Sequence, residues 1–150
     1  MTINHLVNHL VLGCCLAAPA YADHAAYATH VLHAWQTENP QGILHGPDAN
    51  NGAAKVKGVK PFIGGGFIEV GFSSPVHNDY GVDIELRHTN GGVYDVFALD
   101  PDTYDWVFLG RGSGHGYFDL GYLPFTTQLR IENVGLMKNI FVDWVRNRHP

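Results

Sequence analysis

The sequence has only two cysteines, and they are adjacent, Cys14 and Cys15. Both stand within the first 22 residues, so a chain cut after Ala22 has no disulfide, no thiolate nucleophile and no cysteine metal site. Basic side chains are scarce as well: nine Lys and Arg face fourteen Asp and Glu, for a formal net charge of −5. They are scattered along the chain, which argues against nucleic acid or an anionic membrane as partner. There is no low-complexity linker, no repeat and no heptad, and no segment keeps a helical period. Catalytic signatures are missing too. No histidine pair has the i, i+4 metalloprotease form with its glutamate, and no serine sits in a nucleophile elbow.

What is present begins with an uncharged start. No charged side chain precedes Asp23, Leu10 to Ala18 is a short apolar run, and Ala20-Tyr21-Ala22 supplies small residues around a cut. That is the outline of a secretory signal peptide, too short for a membrane span, although His5 and His9 stand where Lys or Arg is usual. The expectation is a signal peptide over residues 1–22 and a single domain over 23–150, secreted or periplasmic. Val11-Leu12-Gly13-Cys14 faintly resembles a lipoprotein box, so lipid anchoring is a minor alternative. A buried N-terminal helix is another, opposed by Asn8 and His9 on its apolar face.

The rest reads as short β-rich runs broken by turn residues every 8 to 12 positions or so, a spacing that suggests a sandwich or barrel. Candidate strands are Ala28–Trp35, Ala54–Val59 (an edge strand, by its lysines), Phe67–Val70, Tyr80–His88, Gly91–Leu99, Asp105–Gly110, Tyr117–Gly121, Thr127–Asn133 and Asn139–Asn147. In "YGVDIELRH", Val82, Ile84 and Leu86 alternate with Asp83, Glu85 and Arg87, the pattern of a half-buried strand whose acidic side is solvated. Trp106 and Trp144 are expected to fill the core between sheets. His30 and His33, three apart on a strand, are expected on opposite faces and so unsuited to a shared metal.

"LGRGSGHGYF" puts glycine at every second position from 110 to 116. A dinucleotide loop needs G-x-G-x-x-G, but the sixth place is His115 or Tyr117 according to frame. A phosphate loop needs Gly-Lys-Ser/Thr, and no lysine is near. The run reads as a mobile loop between strands, with Arg111 and His115 free to reach a ligand. Asp79 and Tyr80 occupy another loop, a carboxylate beside a ring. Rings with polar tips suit sugar recognition, in which apolar sugar faces meet aromatics and hydroxyls meet Arg, His, Asp or Asn. The ligand-binding candidates are therefore Asp79, Tyr80, Arg111 and His115. The loop "GPDANNG" offers oxygen ligands at Asp48, Asn50 and Asn51 but lacks the order of an EF-hand, so an Asx-turn is the simpler reading.

Taken in order, "ILHGPDANNG", "FIGGGFIEVGFSSPV", "YDVFALDPDTYDWVFLGRGSGHGYFDLG", "QLRIEN" and "NIFVDWVRN" resemble the discoidin-like (galactose-binding-like) β-sandwich domains of secreted and cell-surface bacterial proteins. The match runs from about Val31 to Asn147. It implies an all-β fold, an antiparallel jelly-roll sandwich of about eight strands, used for binding and usually not catalytic. It also implies a structural Ca²⁺ near the first loop and last strand, at Asp48 and Asp143. Ala49 departs from the glycine that commonly follows that aspartate. The function expected is an exported, non-catalytic module for carbohydrate or cell-envelope glycan. The alternatives are a structural or adhesion protein with a protein partner and, third, a β-sandwich hydrolase.

Overall fold

A computed structural model of the chain describes residues 26–44, 46–47, 52–61, 63–90 and 92–150. Asp48 and the leader, residues 1–22, lie outside the described residues, and with them the signal-peptide reading. The strands are β1 (His30–Trp35), β2 (Thr37–Glu38), β3 (Ala54–Val56), β4 (Phe67–His77), β5 (Ile84–His88), β6 (Val93–Leu99), β7 (Trp106–Ser113), β8 (Gly116–Phe118), β9 (Phe125–Asn133) and β10 (Ile140–Asn147). They form two five-stranded sheets, β1-β4-β9-β6-β7 and β2-β3-β10-β5-β8. Every named pairing is antiparallel. The all-β sandwich is as the turn spacing implies. Among the described residues ten strands replace about eight, because β2 and β8 are pieces of two and three residues. No helix among the described residues is long and apolar enough to cross a membrane.

Alternation decides what each strand buries. Ile68 and Val70 of β4, Leu129 and Ile131 of β9, and Tyr94 and Val96 of β6 point inward, all fully buried. They meet Ile84 and Leu86 of β5, Val142 and Val145 of β10, and Val56 of β3 in one apolar cluster. Two polar side chains that enter this interior are bonded, whereas the buried His88 Nε2 beside Tyr94 has no partner among the described residues. Asn133, 1% exposed, donates from Nδ2 to the carbonyls of Val56 and Lys138, and its Oδ1 accepts from Gly135 N–H. Asp83 accepts from Asp79 N–H at 2.9 Å and Leu120 N–H at 2.8 Å, which ties the turn before β5 to the turn after β8.

Several expectations change. The stretch Ala54–Val59 does not lie at an edge: β2 covers β3, and Lys55 and Lys57 both pair with Glu38 of β2. The expected solvated side of β5 is covered at Asp83 and Glu85, both buried, and exposed only at Arg87. Neither tryptophan lies between the sheets. Val107 packs on the core, so its neighbour Trp106 points outward and is half-buried. Val145 packs inward, so Trp144 lies on the outer face, buried beneath Tyr27, whose ring meets it edge-on at 5.7 Å. A bulge between Val31 and His33 puts His30 and His33 on one face, opposite Gly71 and Glu69, rather than on opposite faces.

The glycine run is not a loop either. Gly110 and Gly112 belong to β7 and Gly116 to β8, and only Gly114 and His115 form the link between sheets. A Cβ on Gly112 would stand 2.7 Å from the Tyr94 ring, and one on Gly116 would stand 2.3 Å from Tyr94 Oη. Gly112 of one sheet and Gly116 of the other leave the space that the buried Tyr94 fills, and Gly110 faces the Phe118 ring. Gly114, at φ +79°, makes the turn, and its carbonyl accepts from Tyr94 Oη at 2.8 Å.

Candidate functional site

Strand directions place the turns. The Asn78–Asp83 segment and the Asp119–Pro124 segment share one end of the sandwich, where Asn78 Nδ2 donates to the carbonyls of Gly121 and Leu123. The Gly114–His115 link turns at the other end, where Gly114 N–H donates to His88 Nδ1. Asp79 and Tyr80 therefore lie at the end opposite the link that carries His115. Tyr80 is fully exposed and the Asp79 side chain is exposed too. Arg111 and His115 separate as well. Arg111 is on the outer face of the β1 sheet, and His115 folds over the outer face of the β2 sheet to reach Glu85. The four candidates do not form one site.

Asp143 lies on β10, with Arg87 Nε 3.7 Å from its Oδ2. Among the described residues, no group of three or more His, Cys, Asp or Glu is placed to hold a metal ion. Arg87 faces Asp143, and Asp48, the other position where the resemblance implies calcium, lies outside the described residues.

The outer face of the β1 sheet gathers much more than Arg111. The register aligns Trp35, Phe67, Glu132, Asp95 and Arg111 in one row across all five strands. The next row is His33, Glu69, Arg130, Phe97 and Phe108. Trp35 and Phe108, on the two edge strands, are 53% and 54% exposed. Four strand spacings separate the edges, about 19 Å. Between them runs a fixed charge ladder. Arg130 Nη1 donates to Glu69 Oε1 at 3.2 Å, its Nε stands 2.7 Å from Glu132 Oε1, and its guanidinium lies 3.9 Å above the Phe67 ring. Arg111 grips Asp95 through Nε and Nη2, a bidentate pair that raises its own already high pKa. Beside this ladder, Gly71 leaves a depression of about 230 Å³ lined by His30, Leu32 and Gln128.

This face is a row of rings around oriented donors and acceptors, which is what recognition of a polyhydroxylated ligand needs. Of its members, only Arg111 was a sequence candidate. Trp35 ends a strand that the sequence reveals, but nothing local tells which face it takes.

No protein-family model matches the chain, and no curated protein does. Solved structures do match. A family 29 carbohydrate-binding module aligns at 10% identity and TM-score 0.52, covering 81% of this chain and 78% of that one. A variant of such a module complexed with mannohexaose aligns at 11% identity and TM-score 0.52, covering 81% of each chain. The family 32 module of AlyQ, in complex with 4,5-unsaturated mannuronic acid, aligns at 12% identity and TM-score 0.53, covering 82% of this chain and 98% of that one. The fold is the galactose-binding-like β-sandwich. Within that sandwich, identities near one in ten fix the arrangement of strands and leave the side chains of each face to be read from this chain alone.

Proposed function

We propose that the chain is a non-catalytic carbohydrate-binding module that lays a glycan across the outer face of the β1 sheet. The observation that carries the reading is the pair of exposed edge rings, Trp35 and Phe108, with the Glu69–Arg130–Glu132 and Asp95–Arg111 ladder between them. Rings accept the apolar faces of sugars, and the ladder's outward N–H groups and carboxylate oxygens meet hydroxyls. Because the charged side chains hold one another, little rotamer freedom remains to be lost on binding. Similarity to modules solved with mannohexaose and with an unsaturated mannuronic acid supports carbohydrate as the ligand class. Arg111 keeps the binding role expected from the sequence; Asp79, Tyr80 and His115 fall outside this face. The reading includes export, with residues 1–22 removed.

Calorimetric titration with mannohexaose and cellohexaose tests it. Saturable binding of at least one is expected, and Trp35→Ala and Phe108→Ala should each weaken it by roughly tenfold, about 1.4 kcal/mol. Both rings are half exposed, so the variants should stay folded. If neither hexaose binds, or both variants bind like the parent, the reading is wrong.

A further inference from the structure

The outer face of the β2 sheet has the opposite charge balance. On the β1 sheet two guanidiniums, Arg130 and Arg111, meet three carboxylates, Glu69, Glu132 and Asp95. Around β10, β5 and β8 three guanidiniums, Arg87, Arg146 and Arg148, meet two carboxylates, Glu85 and Asp143. That local excess of positive charge stands on a chain of net charge −5.

The internal acceptors there are already used. Glu85, 5% exposed, takes a hydrogen bond on Oε1 from His115 Nε2 at 2.7 Å. Its Oε2 accepts from Arg146 Nε at 2.7 Å and Nη2 at 2.5 Å. Arg148 Nε stands 4.0 Å from that same oxygen, too far for a hydrogen bond, and its guanidinium is 5.5 Å from the centroid of the Tyr117 ring. Arg87, 53% exposed in its side chain, reaches Asp143 only at 3.7 Å. Arg148 thus stands beside charge it cannot bond, next to Tyr117, itself 53% exposed, while Arg87 lies further along the same face, opposite Trp144. Tyr117 is held in place by His115, stacked on it at 4.9 Å.

We propose that this face is a second binding site, specific for sugars that carry a carboxylate, with Arg148 gripping the uronate carboxylate, Arg87 adding attraction and Tyr117 bordering the sugar ring. A planar guanidinium matches a carboxylate in two hydrogen bonds, and the Glu85 oxygens beneath are taken by Arg146 and His115, which leaves the Arg148 charge to be answered by a ligand. The site does not depend on the β1-sheet reading, since no residue is shared.

The test titrates the full chain with trigalacturonate and trimannuronate, and with the methyl ester of the former, which keeps the ring and removes the charge. At least one acid should bind, with affinity falling as salt rises, and the ester of trigalacturonate should bind at least about tenfold more weakly than its acid. Arg148→Gln should weaken acid binding about tenfold while its melting curve matches the parent's, Arg148 being solvent-exposed near the end of β10. Saturating mannohexaose should leave acid binding unchanged. Failure of both acids to bind overturns the proposal, as do equal binding of acid and ester, an unaffected Arg148→Gln, or displacement by mannohexaose. Failure of mannohexaose to bind at all speaks only against the β1-sheet reading.

Discussion

Arg111 and Asp95 lie directly opposite each other on β7 and β6, and the guanidinium holds both carboxylate oxygens, at 2.6 and 2.8 Å. The two partners are unequal: the Asp95 side chain is 11% exposed and that of Arg111 61%. Removing the arginine leaves a largely buried carboxylate without its donor and with Glu132 opposite it on β9. Removing the aspartate leaves an arginine that can turn into water. Arg111→Ala should therefore lower the melting temperature by about 3 °C, and more than Asp95→Ala does. Equal or reversed effects in thermal melts would show that the pair is ordinary surface charge. This differs from the sequence expectation, in which Arg111 is free to reach a ligand at no cost to the fold.

The alternate glycines give a second asymmetry. Gly116→Ala forces a methyl group into Tyr94, which is fully buried and hydrogen-bonded to the Gly114 carbonyl, so the core must yield. A loss of about 1–3 kcal/mol in urea unfolding is expected, typical of overpacking. Gly64→Ala meets nothing within 4 Å and bears only the cost of its φ of +80°, about 1 kcal/mol. Equal losses at the two positions would mean that backbone strain and not the Tyr94 contact dominates.

These residues show why part of the molecule is legible in the sequence and part is not. A strand with one buried face, such as Phe125–Asn133, announces itself by alternation, and the Asp-Pro-Asp turn between β6 and β7 does so by its chemistry. The glycine run carries the same period of two, but space left by glycines looks like a flexible loop until Tyr94 is seen to fill it. Glu85 misleads for a related reason. Its polar face is buried because His115 of the β7–β8 link and Arg146 of β10 reach over it, and no local pattern places either beside β5. The candidate site is least legible of all. Trp35, Glu132, Asp95 and Arg111 form one row only through the order β1-β4-β9-β6-β7, a product of pairings between distant segments.

Export is a separate matter. The exported protein should begin Asp-His-Ala-Ala-Tyr, at Asp23, because Ala20-Tyr21-Ala22 is the small-residue site that follows the apolar run. N-terminal sequencing of protein from the periplasm or medium reads this directly. Met1 retained on soluble protein inside the cell would sink the idea.

The pH dependence of stability should come in two stages. Burial holds the His88 imidazole below its ordinary 6.5, although the Asn90 side chain pulls it up. Burial would raise the Glu85 carboxyl, but the Arg146 guanidinium and then His115 outweigh it, so the group lies below its ordinary 4.5. Both folded values are depressed, so below each ordinary value the unfolded chain binds more protons than the folded one. The His88 contribution is complete above pH 6.5 and is lost as pH falls from there through its folded value. The Glu85 contribution is complete above pH 4.5 and is lost in turn below it. The urea midpoint should thus be flat above neutrality, decline first through weakly acid pH and then decline again in acid. Glu85→Gln should be less stable than the parent at neutral pH, should keep the first decline and lose the Glu85 part of the second, so that the two proteins converge in acid. The Glu38 and Asp100 carboxyls, which also lie below their ordinary values, keep the rest of the second decline. An NMR titration should place the His88 imidazole below 6.5. An imidazole titrating at or above that value, or a constant gap between Glu85→Gln and the parent across the acid range, would remove the basis for the corresponding stage.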